Sequence, residues 1–143
     1  MSSLDAFMDD VREYLPLSPQ QFQILLALSD ADRHGYGIIL EVAERTGGSV
    51  RLGTGTLYTA LAGLVDGALI QDIDGQNRNA PAEKDARVRE DARRRYYRLT
   101  PFGRAVLEAE TARLDTLVKQ ARRKGISIGP PALEPSSTPS RGK

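Results

Sequence analysis

Cysteine is missing from the 143-residue chain, and tryptophan is missing with it. Without thiols, a disulfide framework, an iron–sulfur cluster, a thiolate zinc site and a cysteine nucleophile are all excluded. One histidine, His34, leaves no multi-histidine metal site within a single chain. The absence of tryptophan removes the largest stacking plate for a planar effector. No apolar run approaches the roughly 20 residues of a membrane span. The opening stretch MSSLDAFMDDVREYL carries acids where a signal peptide has a basic end. A reducing cytoplasm is the expected location.

Charge of one sign is also scarce overall. Twenty Lys+Arg stand against 19 Asp+Glu, a formal net charge of +1, which argues against a histone-like polycation or an acidic tail. That near-neutrality hides a division along the chain. Residues 1–74 carry a net −7 and residues 75–143 a net +8. A chain polarised in this way asks for a partner or for another copy of itself. With 40% apolar and 27% charged residues, it can fill one modest core under a wet surface.

Leu4, Phe7, Met8, Val11 and Leu15 recur on one side of a helix, which predicts an amphipathic segment over 1–16 closed by Pro16. Ser18, Pro19 and Gln21 are the cap, first residue and capping-box partner of a second helix running to about Ser29. The polar Asp30–Arg33 stretch reads as a turn. A third helix is expected from about Tyr36 to Arg45, ended by Gly47 and Gly48. A fourth covers about Thr54 to Asp66, with Leu57, Leu61, Leu64 and Val65 inward and Gly55, Thr56, Thr59, Ala62 and Gly63 outward.

Leu69–Ile73 and Tyr96–Leu99 look like two strands of a ribbon. Between them lies a long arginine-rich stretch without apolar period. Thr100-Pro101 opens a last helix to about Lys124, in which Leu107, Leu114, Leu117 and Ala121 suit a helix-pairing seam interrupted by Glu110. The expected division is an N-terminal helix (1–16), a winged helix-turn-helix domain (17–99), a C-terminal dimerisation helix (100–125) and a disordered tail (126–143). The fold class is mainly α with a small β-ribbon. An arrangement of this kind most often puts one helix into a DNA major groove.

Three stretches carry a family resemblance. His34-Gly35-Tyr36-Gly37-Ile38, Gly55-Thr56-Leu57-Tyr58-Thr59-Ala60-Leu61 and Arg95-Tyr96-Tyr97-Arg98-Leu99-Thr100-Pro101-Phe102-Gly103, in this order, resemble motifs of the PadR-like transcriptional regulators. The resemblance implies a homodimeric DNA-binding regulator, usually a repressor on a palindromic operator, paired through its C-terminal helix. Three departures stand out. Thr54 and Thr59 occupy positions where members often have proline. Ala68 stands where glycine is common, with Gly67 before it, which leaves a one-residue shift of the turn open. The wing is longer and more basic than expected.

The candidate DNA-binding residues are Tyr36, Arg51, Thr54, Gly55, Thr56, Tyr58 and Thr59, with Arg89, Arg93 and Arg94 of the wing. Threonine hydroxyls can meet phosphates or base edges, and the threonine methyl can pack on thymine. The Tyr58 phenol can hold a phosphate, and arginines at a wing tip suit the backbone or minor groove. Bland readings stand beside these: threonines that only cap a helix, Tyr58 half in the core, arginines that are merely solvated. For His34 and Tyr36 two readings are open. Either a phosphate docks at the helix start, or Tyr36 packs on the C-terminal helix and His34 is an ordinary surface residue. The candidate dimerisation residues are Phe7, Val11, Leu107, Leu114, Leu117 and Ala121, with the N-terminal helix packing on the 100–124 helix in the dimer.

No nucleotide loop is formed by Gly47, Gly48, Gly53 and Gly55, because Tyr58 takes the place of the third fingerprint glycine and no Gly-Lys-Ser/Thr follows. No catalytic set, metal site or cofactor is expected, and the chain is not read as an enzyme. The expected partners are double-stranded DNA and a second copy of the chain, with any small-molecule effector unidentified. A winged helix used only to bind other proteins is the alternative.

Overall fold

In a computed structural model, the described residues are 3–73 and 95–129. They fall into two compact units, Met1–Glu110 and Thr111–Lys143. In chain order the elements are α1 (Ser3–Glu13), α2 (Pro19–Ala27), β1 (Arg33–His34), α3 (Gly35–Arg45), α4 (Thr54–Asp66), β2 (Ile70–Asp72), β3 (Tyr96–Leu99) and α5 (Pro101–Arg123). The sheet is antiparallel in the order β1-β3-β2. Arg33 pairs with Tyr97 and His34 with Tyr96, while Gln71 pairs with Arg98 and Asp72 with Tyr97. Three helices and this small ribbon make a winged helix, the expected architecture. No helix among the described residues is long and apolar enough to cross a membrane.

The core of the first unit grows out of one stripe per helix. Ile24, Leu25 and Ala27 of α2, Ile38 and Val42 of α3, and Leu57, Leu61 and Leu64 of α4 are buried together with Leu69, Ile70, Tyr97 and Val106. Fully burying one such aliphatic side chain contributes roughly 1.5–3 kcal/mol. The expected capping box starts α2: the Gln21 N–H donates to Ser18 Oγ at 3.1 Å, and the Ser18 N–H to Gln21 Oε1 at 2.9 Å. Arg45 then ties α3 to α2, donating to Gln23 Oε1 at 2.7 Å and to Glu41 at 2.9 Å. The Glu41 carboxylate raises the pKa of this guanidinium, outweighing its partial burial.

Several expectations change. The stretch read as a turn ends in the two-residue strand β1, too short to have an apolar period. The N-terminal helix packs on its own chain: the Phe102 ring meets Phe7 and Tyr14 edge to face, each at 5.7 Å between centroids. Val11 is wholly buried there. The 74–94 stretch and residues 130–143 lie outside the described residues. The wing loop and most of the segment expected to be disordered fall there. Residues 126–129 are exposed and without regular structure.

Beyond Glu110, the 111–123 part of α5 forms the second unit together with residues 124–129. Its apolar side chains Leu114 and Leu117 are 36% and 46% exposed, and Lys119 pairs with Asp115 at 2.9 Å.

The end of α4 settles the question of the turn. The Leu69 N–H donates to the Leu64 carbonyl at 2.9 Å and the Ala68 N–H to that of Val65 at 3.0 Å, the two bonds of a Schellman cap. The left-handed residue is therefore Ala68, at φ 65°, and no one-residue shift occurs. A Cβ at Gly67 would meet the Tyr14 hydroxyl, so a side chain there would require Tyr14 to shift. An L-residue in this conformation costs about 1–2 kcal/mol that glycine does not, offset in part by glycine's greater backbone freedom when unfolded. Ala68→Gly should therefore raise stability by about 0.5–1 kcal/mol in urea denaturation. A loss of stability would show that the strain is relieved some other way.

Candidate nucleic-acid interface

Burial of Leu57, Leu61 and Leu64 points the opposite side of α4 outward. Thr54, Gly55, Thr56, Thr59, Ala62, Gly63 and Asp66 are exposed. Thr54 is the first helical residue and Gly53 is the cap, with no side-chain hydrogen bond to close the helix start. The threonines are thus not engaged in capping, and among the described residues the first-turn N–H groups have no side-chain acceptor. That leaves a partial positive charge at the helix start. Arg51 lies exposed two residues before the cap, with no ion pair among the described residues. Alongside, a groove of about 620 Å³ is lined by Ser18, Gln20, Gln21, Gly55, Thr56, Thr59 and Ala60. Of the residues proposed from sequence, Arg51, Thr54, Gly55, Thr56 and Thr59 are thereby brought to the start of α4.

Tyr58 behaves differently. It is half-buried, and its hydroxyl end lies against Gly35 at the start of α3, filling the space a Cβ would take. It props α4 on α3 and is not a wholly outward phenol. Tyr36, on the first turn of α3, is 59% exposed. His34 is half-buried, not an ordinary surface residue. It caps α3, its Nδ1 accepting the Gly37 N–H at 2.9 Å, and its ring meets Tyr96 edge to face at 5.3 Å. The imidazole thus satisfies one of the first-turn N–H groups of α3. That cap was legible in principle, because His34 stands just ahead of two glycines flanking Tyr36 at a helix start.

The arginines around the base of the wing are engaged by the chain's own acceptors. Arg98 grips Asp32 with two donors, at 2.8 and 3.2 Å, fastening β3 to the segment before β1. Hydrogen bonding to Asp32 raises the Arg98 pKa. Arg95 reaches Asp72 at 3.4 Å, Arg33 donates to the Ala27 carbonyl at 2.7 Å, and Arg104 to that of Ser29 at 2.7 Å. Sequence reasoning missed these internal roles, since each partner lies in a different element. Arg89, Arg93 and Arg94 lie outside the described residues.

Residues 24–109 match the model of the transcriptional regulator PadR-like family. The chain belongs to the PadR-like family. Its fold is similar to that of a transcriptional regulator from Clostridium thermocellum (24% identity, 83% of this chain and 99% of that one, TM-score 0.55). It is also similar to a PadR family transcription regulator from Clostridium difficile (28% identity, 73% and 95% covered, TM-score 0.53). A curated relative, an uncharacterized 37.1 kDa protein in transposon TN4556 of Streptomyces fradiae, is 36% identical over 90 residues. These cover 63% of this chain but span only 21% of that protein. The PadR-like family is one of transcriptional regulators. The family match runs from the last turn of α2 into the first half of α5 and leaves α1 outside.

Of the proposed pairing residues, Val11 and Leu107 are buried in the chain's own core, where each completes packing that a partner was expected to supply. Phe7, Leu114 and Leu117 keep exposed apolar surface, and Ala121 is half-buried.

The Tyr58–Gly35 contact makes a specific forecast. Gly35→Ala should destabilise by about 1–3 kcal/mol through overpacking, and the penalty should largely vanish in a Tyr58→Ala background. Urea denaturation of the four-member cycle measures this coupling. Equal penalties in both backgrounds would mean that Gly35 is needed for something other than Tyr58.

Proposed function

We propose that this regulator binds double-stranded DNA sequence-specifically, as a homodimeric repressor on a palindromic operator. The outer face of α4 carries the reading: exposed threonines at an open, partly positive helix start beside Arg51, unpaired among the described residues, in a winged helix of a regulator family. In this reading α4 enters the major groove, with Thr54, Gly55, Thr56 and Thr59 facing the bases. Arg51, Tyr36 and the first-turn N–H groups hold phosphates. Tyr58 positions the helix through Gly35 and has only its exposed edge for DNA. Arg89, Arg93 and Arg94 supply the wing's electrostatic contacts. No cofactor or catalytic step enters this reading, and the site of action is the cytoplasm.

Pairing of two copies follows from the apolar surface that the single chain leaves uncovered. Leu114 and Leu117 on α5, with Ala121 on the same helix, and separately Phe7 on α1, are the main candidates. A two-fold dimer would set its two recognition helices about one DNA turn, roughly 34 Å, apart.

Selection of bound sequences from random duplex DNA should return a palindrome with half-sites one turn apart. A pool that shows no enrichment, together with binding to an acidic protein surface in its place, would support the protein-interaction alternative. Arg51→Ala should lower affinity for all duplexes alike and reduce the log–log salt slope by about 1; an unchanged slope would remove Arg51 from the interface. Leu114→Glu should give a monomer in sedimentation that no longer holds the operator, and a stable DNA-binding dimer would refute that seam.

A further inference from the structure

Between Thr54 and Asp66 the recognition helix has no arginine, lysine, asparagine or glutamine. The bidentate pairs that mark guanine (Arg or Lys) and adenine (Asn or Gln) therefore cannot come from α4. Its exposed face offers hydroxyls and methyls. A threonine hydroxyl serves either base, so it discriminates little. A threonine methyl against the C5-methyl of thymine does discriminate.

A second observation concerns the glycines of the same face. Gly55 and Gly63 are exposed, neither has a positive φ, and a Cβ at either would meet nothing within 4 Å. Glycine weakens a helix relative to alanine, and nothing among the described residues requires it at these two positions. Their bare backbone suits a surface that comes very close from outside. The groove beside Gly55, Thr56, Thr59 and Ala60 leaves room for such an approach.

We propose that α4 reads thymine by methyl contact, with Thr56 and Thr59 as the specificity-determining residues and Gly55 admitting the close approach. The inference rests on the DNA-binding reading above and adds the base it selects. Half-sites are then marked by thymines, whose methyls meet the two threonine methyls in the major groove.

The test uses the full chain and the duplex recovered from the random pool, with each thymine replaced in turn by deoxyuridine, which lacks only the methyl. At one or two positions per half-site the wild-type chain should bind roughly four-fold more weakly, the factor expected for one buried methyl. Thr56→Ser and Thr59→Ser keep the hydroxyl and fold normally on an exposed face. Each should bind the parent duplex more weakly and lose the deoxyuridine penalty at its own position. Gly55→Ala should weaken binding without lowering the melting temperature. Deoxyuridine duplexes bound as tightly as the thymine parent would overturn the proposal, as would a penalty that persists in both serine variants. Failure to bind any duplex would instead overturn the DNA-binding reading itself.

Discussion

Leu57, Leu61 and Leu64 sit four and three residues apart, and their burial decides which side of α4 can meet anything outside the chain. The rest of the first unit is arranged around that decision. Ile38 and Val42 of α3, Ile24 and Leu25 of α2, and Leu69 after the Ala68 turn close over the same leucines. A polar residue at Leu61 would remove both the core and the orientation of the outer face. Tyr58 adds a second constraint at the start of the same helix, because its ring fits against α3 only where Gly35 has no side chain. Fold and interface are therefore one problem: the helix that fills the core on one side displays its threonines on the other.

Charge is distributed by role. Between Thr54 and Asp66 only Asp66 is charged, so the face expected to discriminate among bases is neutral. At the wing base Arg98 is held by Asp32 and Arg95 by Asp72. These pairs are exposed or partly exposed, and each contributes little to stability; their use is to fix where the ribbon sits. Arg51, unpaired among the described residues, is left to meet phosphate. The net charge of +1 would have suggested indifference to nucleic acid, yet phosphate contacts position a protein and base contacts specify the sequence. A few well-placed cations beside a neutral reading face fit that division.

Much of this was legible in the sequence, and the exceptions have physical reasons. The 54–66 helix and the 96–99 strand emerge with their observed bounds because apolar period and boundary residues agree there. The Ser18 capping box was equally plain. β1 was not, since two residues have no periodicity and its pairing comes from Tyr96 and Tyr97 far along the chain. Val11 and Leu107 were read as pairing residues because a stripe says that a face is buried, not by whom. Ala68 shows the limit of turn chemistry: the Schellman cap here puts an alanine in the left-handed position although a glycine stands one residue before it. Local patterns were therefore reliable for elements and weaker for partners at a distance, as with the His34 cap against Tyr96 and the arginines of the wing base.

The central claim is that the outer face of α4 is the surface that meets DNA. Backbone amide chemical shifts recorded during titration with the selected duplex test it most directly. The account predicts saturating shifts over Gly53–Gly63 and at Arg51, with the buried amides of Leu25 and Val106 little changed. Shifts confined to α1 or to residues 111–129, with α4 undisturbed at saturation, would contradict it.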